Sequence, residues 1–366
     1  MKILFVMKTR GNAGSTHAVA NYIRLAPGFG HTVAIFGSPI WYIPELKFSM
    51  DIEDFDRVVY LFETELYRIP PLQQAIMLGR FPRERRLIVD TDGLYNDLIQ
   101  LDGYDHNHRS EADRQSWIAH MDALGDRVVQ TLLHKPQFAK ASALPFFGYD
   151  PSLEVDAAAS PAKQWDVLHV GHNWWRWREV ESELLPAFAN IRDRVGRIGF
   201  LGLWWDAPPE EGPSVNPSDA FIADPYAFRR LRIETPPAVN YNDVIATMST
   251  ARINILTQRP LLRHLRHLTL KYFEVFCADT IPLLMLDDDH AEEVYGPAAR
   301  ELTLPGRAAE KILDALENEE KYRAIVADVR AHLRARHRYE ARARELFEAL
   351  DCGSAPPPSM TPERRT

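Results

Sequence analysis

Apolar positions along the chain fall in short unbroken runs separated by longer stretches of mixed character. Lys2 is followed by Ile3-Leu4-Phe5-Val6-Met7, and Lys8-Thr9-Arg10 ends the run. Such a run is too short for a signal-peptide core or a bilayer span and fits a strand buried on both faces. Residues 31–36 (HTVAIF), 57–62 (RVVYLF) and 86–89 (RLIV) predict three more strands. Helices are expected between them over 16–25, with Ser15 as N-cap, and around 73–78. Ala157-Ala158-Ala159-Ser160-Pro161 has the composition of a linker. A second series then begins with 165–170 (WDVLHV), ends that run at Gly171, and continues with strands at 197–203, 251–256 and 281–286. Helices are expected over 179–191 and 270–278, and residues 307–350 read as helical throughout. Strands alternating with helices predict βαβ units and parallel sheets. The expectation is therefore two tandem α/β domains of Rossmann-like type, 1–150 and 163–336. Residues 351–366, rich in Pro, have the composition of a disordered tail. No repeat of 20–50 residues is evident.

Composition narrows the function classes. A chain of 366 residues with 46% hydrophobic and 26% charged positions is ordinary for a globular protein. Acids outnumber bases 51 to 43, a net charge of −8, so no basic footprint points to nucleic acid as a partner. The two cysteines, Cys277 and Cys352, do not make a disulfide framework or a zinc spacing. A cytoplasmic location and no membrane span are expected.

Ligands of open α/β sheets bind beyond the carboxyl ends of the strands, so the residues after each strand are the candidates. After the first strand, Gly11, Gly14 and Ser15 belong to a loop whose backbone N–H groups could approach an anion or sugar oxygens. The loop lacks the Walker and G-x-G-x-x-G patterns, and a plain strand-to-helix turn is the alternative. After the 165–170 strand comes Gly171-His172-Asn173-Trp174-Trp175-Arg176-Trp177-Arg178. Arg176 or Arg178 could pair with phosphate, His172 or Asn173 could line a cleft, and the tryptophans could stack on a sugar or simply pack. Trp204, Trp205 and Asp206 end the next strand, as ligand wall or as packing. After 251–256 a basic loop carries Arg259, Arg263, His264, Arg266 and His267 before a helix opening near Thr269, Leu270 and Lys271. Glu274 lies inside that helix among aromatic and aliphatic neighbours, a costly place for a carboxylate without a partner. A ribose diol would suit it, and a salt bridge to Arg266 or Lys271 is the alternative. In the first half, Asp90 and Asp92 close one strand and Glu63 and Glu65 another; such an acid could serve as base or could cap a turn. His106 and His108 are a weak metal pair, and no metal is assigned.

The stretch Leu268-Thr269-Leu270-Lys271-Tyr272-Phe273-Glu274-Val275-Phe276-Cys277-Ala278 resembles the "R-T-F-E-A-L-A-C-G" region of GT-B glycosyltransferases, and most closely the CgeB-like, family-4-related group. Residues 240–245 (NYNDVI), 144–151 (LPFFGYDP) and 337–343 (HRYEARA) resemble, in order, the approach to the nucleotide-binding strand, the "P-x-x-x-D-P" exit from the first domain and the "H-T-Y-E-x-R-A" start of the last helix. The resemblance implies two domains facing across a cleft, with helix 337–350 packing back on the first. It also implies a nucleotide diphosphate sugar held mainly by the second domain and an acceptor by the first. Glu274 would take the ribose, and the helix start at Thr269, Leu270 and Lys271 would meet the diphosphate. Gly11, Gly14, Ser15, Arg176, Trp205 and Arg263 complete the expected donor site. Asp92 and His172 are the catalytic candidates, and transfer would be metal-free, without cofactor and with retention of configuration. Two departures stand out: Arg266 replaces the glutamate found eight positions before Glu274, and Cys277-Ala278-Asp279 replaces "A-C-G". They leave open a nucleotide-binding subunit without catalysis. Asp90-Thr91-Asp92 leaves open a metal-dependent GT-A transferase.

Overall fold

Among the residues that the computed structural model describes (1–62, 79–96, 111–136, 140–208 and 221–351), eleven strands form two all-parallel sheets. The first holds β1 (Lys2–Val6), β2 (Thr32–Phe36), β3 (Arg57–Phe62), β4 (Arg86–Asp90), β5 (Val128–Gln130) and β6 (Ser142–Ala143) in the order β2-β1-β3-β4-β5-β6. The second holds β7 (Trp165–Val170), β8 (Ile198–Leu201), β9 (Ile233–Glu234), β10 (Ala251–Leu256) and β11 (Ile281–Leu284) in the order β11-β10-β7-β8-β9. Both are open doubly wound sheets. The reversal of strand order falls between β1 and β3 in the first and between β7 and β10 in the second.

Hydrophobic burial explains the strand placement. Ile3, Leu4, Phe5, Val58, Val59, Leu87, Ile88 and Val89 are buried in the first core, and Val167, Leu168, Ile198, Ile253 and Leu283 in the second. Runs apolar on both faces are what a parallel sheet covered by helices requires. Strands β5, β6 and β9, at or next to a sheet edge, have only two or three residues each, too short to show as apolar runs in the sequence. The expected helix 179–191 begins two residues earlier and contains a π-helical turn, Val180–Leu184, between Trp177–Glu179 and Leu185–Ile191. The expected linker at 157–161 is in part a 3-10 turn, Ala157–Ala159, capped by the Asp156 carboxylate. The expected helix near 73–78 and the tail beyond Asp351 lie outside the described residues.

Three helices contribute residues to the cleft between the sheets: α1 (Gly14–Leu25), α2 (Lys271–Cys277) and α3 (Tyr339–Asp351). The helical run before α3 belongs to the second half, and the chain then returns to the first. The Tyr149 N–H donates to the His337 carbonyl at 2.7 Å, and the Tyr339 N–H to the Tyr149 carbonyl at 3.3 Å. Phe347 of α3 packs edge-on against Phe29 at 5.5 Å and His31 at 4.7 Å, while Arg57 donates to the Leu350 carbonyl at 3.0 Å. Among the described residues no helix is long and apolar enough to cross a membrane.

Candidate functional site

The reversal of the second sheet brings together the loop after β7 and the loop leading from β10 into α2. Gly171 opens the first of these loops, and a Cβ there would sit 2.1 Å from Lys271 Nζ. The ammonium instead donates to the Val170 carbonyl at 3.1 Å. A side chain at position 171 would push this ammonium aside. Four described non-glycine residues have left-handed backbone, and three of them follow strands of this sheet: Trp175 (φ 60°) after β7, Trp204 (φ 69°) after β8 and Arg266 (φ 58°) after β10. Bulky residues persist there only where surrounding contacts over-determine the loop, a pattern concentrated at functional sites.

Charge converges on the same point. His169, His172, Arg176 and Lys271 gather around Gly171, and each lies within electrostatic range of at least one other. Burial, with Arg176 adding repulsion and Glu274 opposing, pushes the Lys271 ammonium down to about 7. Burial, then Lys271 and Arg176, push His172 to about 4. Arg176 turns back to donate to the carbonyls of His172 (2.9 Å) and Trp174 (3.3 Å), bracing the loop. His172 is neutral at physiological pH, and its Nδ1 accepts the Leu203 N–H at 3.0 Å. Its proton therefore resides on Nε2, where the ring is a hydrogen-bond donor.

Glu274 sits one turn along α2 from Lys271, and the residue is 6% exposed. Neither Arg266 nor Lys271 holds it in a salt bridge. Arg266 pairs with Asp289 and Glu293, and the Tyr241 hydroxyl donates to Glu274 Oε1. Burial raises the Glu274 pKa, while the Tyr241 hydrogen bond and then Lys271 oppose that rise. The Tyr241 ring lies flat on His17 of α1, with centroids 3.4 Å apart and planes 8° from parallel. His17 Nε2 is 2.8 Å from the Gly11 carbonyl. His17, Tyr42, Tyr241, Asn242, Leu270 and Glu274 are among the residues lining a cavity of about 320 Å³ between the two halves.

The first half presents a different surface. Tyr42 lies over Gly11, where a Cβ would be 2.0 Å from its hydroxyl oxygen, and Gly14 packs on Leu270 of the opposite half. Ser15 is buried, does not cap α1, and its hydroxyl has no partner among the described residues. Asp90 is fully buried and accepts from the Leu94 N–H (3.0 Å), the Tyr95 N–H (2.9 Å) and Gln130 Nε2 (2.9 Å), so it holds its own loop rather than a metal. Asp92 is half-buried and within electrostatic range of His267 of the opposite half. Thr131 exchanges two hydrogen bonds with Leu268 across the halves, at 2.8 and 2.9 Å. Glu63, Glu65, His106 and His108 lie outside the described residues.

Three further expectations change. Trp205 is fully buried and donates to the Gly171 carbonyl at 2.7 Å, so it backs the loop instead of facing a ligand. Arg263 is committed to Glu179 at 3.0 Å and to Asp287. Thr269 precedes α2 without capping it; Leu270 occupies the cap position. Trp174 and Trp177 pack against Phe221 and Phe228. Tyr241 falls within the 240–245 motif, but nothing in the sequence marks His17, because their pairing exists only across the two halves.

Comparison with known structures decides the fold. A sucrose-phosphate synthase from Thermosynechococcus elongatus superposes with a TM-score of 0.61 at 13% identity, covering 96% of this chain and 98% of that one. The fold is that of the GT-B glycosyltransferases. An α-glucosyltransferase in complex with UDP-glucose and DNA containing an abasic site (TM-score 0.57, 10% identity, 96% and 99% covered) shares the GT-B arrangement. So does the DNA-modifying enzyme β-glucosyltransferase, described with and without UDP-glucose (TM-score 0.52, 13% identity, 96% and 100% covered). Residues 183–348 match the family model described as glycosyl transferase-like. No curated protein matches the chain in sequence. Two facing sheets remove the GT-A alternative.

Proposed function

We propose that this GT-B protein transfers a sugar from a nucleoside diphosphate sugar, of the UDP-glucose class, to a hydroxyl-bearing acceptor. One observation carries the reading: Lys271 and Glu274 lie one turn apart on α2, the first turned to the Gly171 loop and the second to the cavity. A nucleoside diphosphate has the matching pattern, two phosphates joined directly to a ribose diol. The gathered cations around Gly171 would receive the diphosphate, which relieves their mutual repulsion. The His172 Nε2–H is a further donor. Glu274 would accept from the ribose hydroxyls, and the nucleoside would occupy the cavity. Positive charge supplied by Lys271 and Arg176 stabilises the departing diphosphate without a metal, and departure assisted in this way is compatible with retention. The acceptor would enter from the first half, past Asp92. A net charge of −8 argues against nucleic acid as that acceptor. Turnover of UDP-glucose, and of the ADP, GDP and TDP analogues, in the presence of EDTA tests the reaction, and the anomer of the product tests its stereochemistry. Nucleotide binding without hydrolysis or transfer from any donor would leave a binding subunit instead.

A further inference from the structure

The Tyr241–Glu274–His17 arrangement has the form of a site already filled by the protein itself. A carboxylate that grips a diol needs hydroxyl donors, and here the donor is a phenol of the same chain. That phenol ring has a second contact on its face. It is pressed on His17, which belongs to α1 in the other half and is anchored through Nε2 to the Gly11 carbonyl. The three side chains line one cavity, so a hydroxyl that reaches Glu274 Oε1 from that cavity competes with Tyr241.

The energetics favour an arrangement that can part. Aromatic rings prefer offset or edge-on packing with centroids about 4.5–7 Å apart. His17 and Tyr241 sit nearly face to face at 3.4 Å, the less favoured geometry. A single neutral-donor hydrogen bond to a carboxylate is replaceable by the two that a vicinal diol offers. Tyr241 also sits at the start of a short 3-10 turn, Tyr241–Asp243, outside the strands of the second sheet.

We propose that Tyr241 is a self-occupying latch on the donor site: its hydroxyl stands in for a ribose hydroxyl at Glu274, and nucleotide binds by displacing it and separating its ring from His17. This rests on the placement of the nucleoside at Glu274 proposed above. Apparent affinity is then reduced by the fraction of molecules that are latched. Loading the donor also unclasps one of the contacts joining the two halves, so binding and movement between the halves are coupled through this pair.

Calorimetric titration of UDP into the full chain tests the latch with three variants. Tyr241→Phe keeps the ring and removes the hydroxyl, and UDP should bind it roughly three- to tenfold more tightly than the parent. His17→Ala releases the same ring from the opposite half and should also tighten binding, which keeps the test open if Tyr241→Phe does not fold. Damage to a merely structural contact would weaken binding in both. Glu274→Gln separates the two levels of the argument. If it weakens UDP binding while Tyr241→Phe and His17→Ala bind no more tightly than the parent, the latch is wrong and the nucleoside placement stands. If Glu274→Gln leaves UDP affinity unchanged, the placement itself is wrong and the latch falls with it.

Discussion

The two walls of the cleft use charge in opposite ways. On the wall built by the second sheet, Lys271 and Arg176 lie near one another beside a glycine, and burial first, then like charge, drives Lys271 and the neutral His172 below their ordinary values. On the wall built by the first sheet, the acid that looked most like a metal ligand, Asp90, is satisfied by three donors from its own half. One wall stores unfavourable electrostatics that a ligand can relieve; the other has spent its buried charge on holding a loop. Titratable groups with perturbed pKa values are therefore not equivalent markers of function. Burial is the largest cause on both walls, and the neighbours separate them: like charge beside a strand end points to a ligand, and a carboxylate ringed by N–H donors points to architecture.

The contrast can be broken by experiment. Asp90→Ala removes the acceptor of two buried backbone N–H groups and of one Gln130 N–H, and should lower unfolding free energy by about 3–5 kcal/mol in denaturant titration. UDP-glucose affinity in the folded fraction should remain within about threefold of the parent, because no ligand contact is removed. Lys271→Met keeps the apolar stem and deletes the charge. UDP-glucose affinity should fall on the order of 100-fold, about 2.7 kcal/mol, while the melting temperature of the empty protein holds or rises as repulsion with Arg176 is removed. A drop in melting temperature with affinity preserved would place Lys271 with Asp90 as architecture.

The pH dependence sharpens the same point. Lys271 titrates at about 7 in the empty site, and a bound diphosphate raises that value, so binding takes up a proton above pH 7. UDP-glucose affinity should be level below pH 7 and fall by up to about tenfold per pH unit above it. Titration in buffers of different ionisation enthalpy reads the proton uptake directly; uptake of none near pH 8 would remove Lys271 from the phosphate site. The smallest effect is expected at Asp92. Asp92→Asn should lower kcat less than about tenfold under retention, whereas a loss of about 10²–10⁴ with an inverted product anomer would identify it as a general base.

Architecture was legible where the physics is local. Strands β3, β7 and β10 follow directly from apolar runs, since a strand covered on both faces has no other pattern. Glu274 was legible for the same reason, as a carboxylate out of place on an apolar helix. The helix after β7 was harder, because its π-helical turn puts one extra residue into the spiral and breaks the 3.6-residue rhythm. Arg263 and Trp205 were misplaced because their partners, Glu179 and the Gly171 carbonyl, are distant in sequence. His17 carries no sequence signal at all: its role depends on a ring 224 positions away.

The return of α3 to the first sheet has a consequence for synthesis. The second sheet is contiguous in the chain, and its last strand, β11, is complete at Leu284. The first sheet is made earliest but lacks its final cover until Tyr339–Asp351 emerges. Until then Phe29 and His31 lack their partner Phe347, and the Arg57 guanidinium lacks the Leu350 carbonyl. The half made first thus matures last, and until Phe347 emerges the Phe29 ring stays without that cover and open to water and to other nascent chains.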